Sequence, residues 1–212
     1  MKKIMVLFFH MAAQKAASRI LDRIRKRGPG AVWIPSDFGD LGTRRAVDGA
    51  LHRLNRAGKI RRLARGLYDR PAANSRFGPV PPPIDAIVAA IARRTGGKVQ
   101  EAGDAALNRL GLSTQVPAVA TYITDGPSRR VTILGRPIVL RHASDRRLVA
   151  AGEVAGAVLE ALRALGSGAL DETVIARLRR VLDDMDIRQL ERISPSATGT
   201  QRKAIARILR NP

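Results

Sequence analysis

The run TRRAVDGALHRLNRAGKIRRLARG, residues 43–66, carries polar side chains at spacings that could grip a polyanion. Thr43 stands where a hydroxyl caps a helix, leaving the first-turn N–H groups and the positive end of the dipole beside Arg44 and Arg45. Arg44, Arg45, Asp48 and His52 share one side of that helix. Val47, Leu51 and Leu54, at i, i+4 and i+7, share the other and suit packing. An arginine at such a terminus can take guanine O6 and N7 in a bidentate pair within a major groove. Arg61, Arg62 and Arg65 follow on a basic hairpin, where they would lie over flanking phosphates or a minor groove and fix register without reading sequence. A solvated basic face on an ordinary helical domain is the plainer account. It leaves unexplained the conjunction of cap, turn length, basic hairpin and scarcity of acid.

Those residues need elements to hold them. AVWI (31–34) reads as a short strand, and a helix starts at Ser36 after Pro35. The turn DLG leads to Thr43, and the helix it caps runs to about Ala57, where Gly58 stops it. KIRRL and RGLY then form two strands with a turn around Ala64; Ile60, Leu63, Leu67 and Tyr68 are their apolar members. Upstream, Ala12 to Arg27 reads as a helix with Ala16, Ile20, Leu21 and Ile24 on one face, ended by Gly28-Pro29-Gly30. This order, helix, turn, helix and basic hairpin, predicts a winged helix-turn-helix over residues 12–70. Residues 1–11, MKKIMVLFFHM, read either as a disposable leader or as a start assigned too early, with Met11 the true one. The apolar run Ile4–Phe9 is short for a signal peptide.

Composition narrows the partner. The chain has 212 residues, a formal net charge of +20 and a pI of about 11.7, which points to a polyanion. Residues 1–70 hold 17 Lys and Arg against 5 Asp and Glu, so the excess sits on the nominated reader. Part of the arginine excess reflects a GC-rich coding bias. The absence of cysteine excludes disulfide scaffolds, Cys-ligated zinc and thiol catalysis. With four Phe, two Tyr and one Trp, single-strand stacking platforms are disfavoured and duplex DNA is the better partner. No apolar stretch approaches transmembrane length, and a cytoplasmic protein is expected.

Beyond the hairpin, PAANSRFGPVPPP (71–83) reads as a semi-rigid linker and domain boundary. Residues 84–212 read as a second, mixed domain. Helical spacing covers Ile84 to Arg94, a short strand Lys98–Gln100, and a short helix Gly103–Leu110. Three β-type runs, Ala118–Thr124, Arg129–Leu134 and Ile138–Arg141, are separated by the turn signals DGPS and GRP and predict a small antiparallel sheet. From Ser144 the pattern is helical, over Asp145–Ala151, Glu153–Leu165, Asp171–Leu182, Ile187–Ile193 and Thr200–Leu209, punctuated by Gly166-Ser167-Gly168 and Ser194-Pro195-Ser196. The fold class is α+β.

Other chemistry finds little footing. His10, His52 and His142 have no helical ligand spacing, so no metal or cofactor is expected through them. Asp183, Asp184 and Asp186 lack a ligand loop and read as a solvated turn between helices. Gly96-Gly97 and Gly166/Gly168 match neither phosphate-loop nor dinucleotide patterns and are turns. An enzyme acting on nucleic acid would need Glu101, Asp104 and Asp125 to meet in one pocket. Catalysis is not expected.

The run NRLGLSTQVPAVATYITDGPSRRVTILGRPIVLRHAS, Asn108 to Ser144, resembles the segment shared by AbiEi-like antitoxins and their relatives of unassigned function. Before it, RILDRIRKRGPGAVWIPSDFGDLGTRRAVDGALHRLNRAGKIRRLARGLYDRP resembles that family's N-terminal winged helix, down to the GKIRRLARGLY hairpin. The resemblance implies a regulator acting as antitoxin in a type IV toxin–antitoxin pair. It would bind inverted repeats in its own promoter; separately, because one such module reads only a few base pairs, a homodimer on repeated half-sites would supply the missing specificity. It would oppose a nucleotidyltransferase-like toxin without obligatory contact. DNA contacts would fall on Thr43, Arg44, Arg45 and Asp48 and on Arg61, Arg62 and Arg65; the antitoxin role would fall after Pro83. The nearly charge-neutral helical tail beyond about Ala151 looks short for that family. The alternative is a winged-helix regulator with a ligand-sensing or dimerisation domain and no toxin partner.

Overall fold

The computed structural model describes residues 2–74, 78–115, 117–166 and 170–210, without the side chains of residues 2–14 and 73–74. Residues 75–77 of the proline-rich segment, residue 116, and Ser167 and Gly168 of the glycine punctuation lie outside the described residues. The fold is α+β. The chain forms two compact units, 1–96 and 97–212.

The first unit is assembled by its apolar stripes. Helix α1 (Lys2–Arg27) starts ten residues before the expected Ala12 and buries Ala16, Ile20 and Ile24. After β1 (Val32–Trp33), a 3-10 segment Pro35–Leu41 turns the chain. Pro35 presets φ at its first position, and the Asp37 carboxylate accepts from Ile34 N at 2.9 Å. Phe38 is fully buried there, stacked on Trp33 with ring centroids 5.3 Å apart. Helix α2 (Arg44–Arg56) lays Val47, Ala50, Leu51 and Leu54 onto this core. Strands β2 (Arg61–Ala64) and β3 (Leu67–Asp69) pair antiparallel, and the sheet order is β1-β3-β2.

The proline-rich segment behaves differently from a bare spacer. It contains a two-stranded antiparallel pair, β4 (Ala73–Asn74) with β5 (Gly78–Pro79). Helix α3 (Ile84–Thr95) then packs against β1 and β3, and Arg93 donates to Val32 O at 2.9 Å and to Asp37 at 3.2 Å. The division between compact units therefore follows α3, at Gly96, and not the prolines at 71–83. Gly96 closes that helix in the left-handed region, with φ of 67°.

In the second unit the elements are β6 (Val99–Glu101), α4 (Asp104–Arg109), β7 (Ala120–Thr124), β8 (Arg129–Ile133), β9 (Arg136–His142), α5 (Val154–Leu165), α6 (Glu172–Val181), α7 (Asp184–Ile193) and α8 (Gly199–Leu209). Three expectations are corrected here. The sheet is mixed: its order is β6-β7-β9-β8, and β7 and β9 run parallel. DGPS is not a hairpin turn. It carries the chain across two strand spacings, about 10 Å, within easy reach of four residues. Asp125 holds it by accepting from Lys98 N at 2.9 Å, and Ser128 Oγ by accepting from His142 N at 2.8 Å. The β8–β9 hairpin turns at Leu134 and Gly135, both at positive φ, so β9 folds back into the gap.

The second correction concerns Asp145–Ala151, which forms consecutive turns and not a helix. Its bonds reach back three residues, Arg147 N to Ser144 O and Leu148 N to Asp145 O. Helix α5 is central and buried on nearly every side, from Ala155 to Leu162. Asp183 and Asp186, expected in a turn, form a capping box at the start of α7. No helix among the described residues is long and apolar enough to cross a membrane.

Candidate nucleic-acid interface

The site grows from the start of α2. Thr43 has extended backbone (φ −61°, ψ 155°) and its Oγ1 accepts from Ala46 N at 3.4 Å, satisfying one first-turn donor; the N–H groups at the start of the helix have no intrahelical acceptor. The four buried residues of α2 fix its rotation, so Arg44, Arg45, Asp48 and His52 are left exposed. Arg44 Nε donates to Asp48 Oδ2 at 2.9 Å, one turn along, with 72% of the Arg44 side chain in solvent. That pair is worth a few tenths of a kcal/mol at most in the free protein. Its effect is to orient the guanidinium, leaving its outer edge available.

The hairpin is tied to the helix by a residue the sequence reading did not single out. Asn55 Oδ1 accepts from Arg62 N at 3.0 Å, joining the end of α2 to β2. Gly58 and Gly66, both at positive φ, form the two bends that bring the strands back. Arg62 and Arg65 are exposed; Arg62 Nε donates within its own strand, to Ala64 O at 3.4 Å.

Arg61 behaves otherwise. It stands directly opposite Asp69, donates to both of its carboxylate oxygens at 3.0 and 2.6 Å, and also reaches Val80 O at 3.2 Å. Asp69 is 1% exposed. The hydrogen bonds to Asp69 push the Arg61 guanidinium pKa up further. Arg61 therefore holds the hairpin together, and Thr43, Arg44, Arg45, Asp48, His52, Arg62 and Arg65 remain as the outward-facing set. Thr43 contributes its cap.

A second unforeseen clamp lies behind the helix. Arg23 of α1 donates to both oxygens of Asp40 at 2.7 and 2.6 Å and to Asp37 O at 2.9 Å, pinning the 3-10 segment that leads into α2. That hydrogen bond from Arg23 lowers the Asp40 carboxyl from its ordinary 3.8 to about 2. Neither partner forms a recognisable local motif with the other; they are 17 residues apart.

The carboxylates that an enzyme would have needed are separately engaged. Glu101 accepts from Arg109 at 2.8 and 3.0 Å, and Asp125 accepts from Lys98 N. Of the three, only Asp104 lines the cavity of about 320 Å³ beside Thr121 and Arg141. His142 Nδ1 lies 3.1 Å from Gly126 O, within the DGPS connection. Among the described residues there is no group of three or more His, Asp or Glu able to hold a metal ion.

Residues 19–190 match the model of a family of unknown function, DUF6088, and the chain belongs to that family. No curated protein matches the sequence. Among solved structures, the chain is similar to the crystal structure of RV2827C protein from Mycobacterium tuberculosis, with 16% identity and a TM-score of 0.44 over 92% of this chain and 76% of that one.

Proposed function

We propose that this DUF6088 protein is a winged-helix DNA-binding regulator of transcription, acting in the cytoplasm without a catalytic site. The observation that carries the reading is the two-sided α2. Its buried stripe sets its rotation, its Thr43 cap fixes where the first turn begins, and Arg44 and Arg45 stand outside beside a hairpin bearing Arg62 and Arg65. In this reading α2 enters a major groove, Arg44 takes a guanine edge, and the hairpin arginines hold phosphates. One such module reads only a few base pairs, so a homodimer on inverted repeats in the protein's own promoter supplies the remaining specificity.

The finer assignment is an AbiEi-type antitoxin that represses its own operon and opposes a nucleotidyltransferase-like toxin. Its support is the resemblance of Asn108–Ser144 and of the GKIRRLARGLY hairpin to that family. Restored growth when the full chain is co-expressed with a nucleotidyltransferase-like reading frame beside its gene is the expected result; continued toxicity would remove the antitoxin half.

DNA binding is tested by fluorescence anisotropy on duplex DNA from the upstream region, beside a shuffled duplex, at two salt concentrations. The expected result is a preference for the native duplex that survives higher salt and collapses in Arg44→Ala/Arg45→Ala. Loss of a phosphate contact alone weakens both duplexes alike and flattens the salt slope. Equal binding to the two duplexes by the wild-type chain would defeat the self-repressor reading.

A further inference from the structure

The second unit holds a basic cavity that its own acids do not balance. About 220 Å³ in volume, it is lined by Arg146 and Arg147 from the turns after β9, Arg163 from α5, Ser144, Ser196, and Thr198 at the start of α8. Glu160, 1% exposed, is the carboxylate that Arg147 and Arg163 meet. Arg147 fills it bidentately, Nε at 2.8 Å and a terminal nitrogen at 2.5 Å, and Arg163 Nε lies 3.4 Å away. Arg146 Nε donates to Ser196 O at 3.0 Å.

One arginine is enough to compensate a buried carboxylate. Here Arg147 and Arg163 share that one carboxylate and Arg146 lines the same cavity without it, leaving an excess of two positive charges around a small concave space. Like charges gathered in a pocket repel, and the arrangement is relieved by an anion that accepts from the unused guanidinium edges. Guanidinium forks match phosphate oxygens, and a phosphate monoester carries about −1.5 to −2 at neutral pH, which equals the excess. The hydroxyls of Ser144 and Ser196, both exposed, add donors at the rim. The cavity is too small for a drug-sized molecule, for which roughly 300 Å³ or more is usual.

We propose that this cavity binds a dianionic phosphate group, free or as the terminal monoester of a small molecule. The inference stands apart from DNA reading: none of its residues belongs to α2 or the hairpin.

The test is an NMR titration of the ¹⁵N-labelled full chain at constant ionic strength, with chloride as the balancing anion. The probes are inorganic phosphate, a nucleoside 5′-monophosphate and dimethyl phosphate. Phosphate is expected to give saturable shifts at the amides of residues 144–147, 163 and 196–199, equally in Arg44→Ala/Arg45→Ala. If only inorganic phosphate saturates the site, free phosphate is the ligand; if the monophosphate binds as well or better, a monoester is. Dimethyl phosphate, a monoanion, should bind at least tenfold more weakly than either. Arg146→Gln/Arg163→Gln, which keeps the Arg147–Glu160 pair, should weaken phosphate at least tenfold with an unchanged circular dichroism spectrum. If that variant does not fold, Arg146→Gln alone decides, with a loss of threefold or more expected. Shifts matched by chloride, shifts confined to residues 43–66, or undiminished binding by the folded variants would overturn the proposal.

Discussion

Residues 1–96 carry 20 Lys and Arg against 6 Asp and Glu, whereas residues 97–212 carry 18 against 12. The difference goes beyond the count. In the second unit several arginines close the structure: Arg179 donates to Ile208 O and Arg207 O at the end of α8, Arg207 to Leu170 O and Glu172, and Arg109 to Glu101. In the first unit three arginines work the same way, Arg23 on Asp40, Arg61 on Asp69 and Arg93 on Asp37. A different set, Arg44, Arg45, Arg62 and Arg65, is gathered on one helix terminus and one hairpin, where Asp48 is exposed and Asp69 is buried against Arg61. Net charge therefore locates no interface. What distinguishes the proposed reader is a set of exposed arginines gathered on one helix terminus and one hairpin, with no buried acid tying them down.

The sharpest test of that distinction is within the hairpin. Arg61→Ala strips the partner from Asp69, which is 1% exposed, and should cost about 3–5 kcal/mol in urea unfolding. Arg62→Ala and Arg65→Ala should stay within about 0.5 kcal/mol of wild type. If the three are equally mild, the hairpin arginines are one class after all. Next, on DNA, Arg44→Ala should lose about 1–3 kcal/mol of discrimination at one G·C pair, with little loss on shuffled duplex. Asp48→Asn should raise affinity for shuffled duplex by removing a negative charge and should blunt base preference by releasing Arg44. Both are read by anisotropy on singly substituted sites.

Two helical glycines extend the comparison to packing. A Cβ on Gly156 of α5 would sit 2.6 Å from Gln100 Oε1 and closer still to the Ala150 carbonyl oxygen. Gln100 cannot retreat freely, because Oε1 also accepts from Gly152 N at 2.8 Å. Gly156→Ala should lose about 1–3 kcal/mol. On α2, a Cβ on Gly49 would meet only the end of the Arg53 side chain, at 3.4 Å, so Gly49→Ala should gain about 0.4–1 kcal/mol. Thermal melts of the two variants should move in opposite directions.

How much of this the sequence disclosed follows from the range of the forces involved. The α2 stripe, the Thr43 cap and the stop at Gly58 are local and were legible. So was α3 as a helix, but the unit it joins depends on Arg93 reaching Val32 O and Asp37, 61 and 56 residues away. The parallel pairing of β7 and β9 is likewise invisible to turn signals, since DGPS looks the same whether the next strand lands beside β7 or one place further on. The fate of Arg61 turned on a single irregularity. A regular hairpin closed at Arg65-Gly66 would oppose Asp69 to Arg62; the register shift between Arg62 and Ala64 opposes it to Arg61 instead.

The smallest effect concerns the clamp behind the reader helix. Hydrogen bonding from Arg23 holds the Asp40 carboxyl at about 2 in the folded chain, against 3.8 ordinarily. A carboxyl depressed on folding stabilises the folded state fully above its unfolded value. That contribution is lost as pH falls through the folded one. The advantage of wild type over Asp40→Asn in melting temperature should therefore be constant above about pH 5, shrink as pH falls from 4 towards 2, and be mostly lost by pH 2. Because both groups stand in solvent, the advantage should also fade in high salt, unlike the loss in Arg61→Ala. A difference that persisted undiminished at pH 2, or that ignored salt, would mean Asp40 acts through the shape of the 3-10 segment and not through its charge.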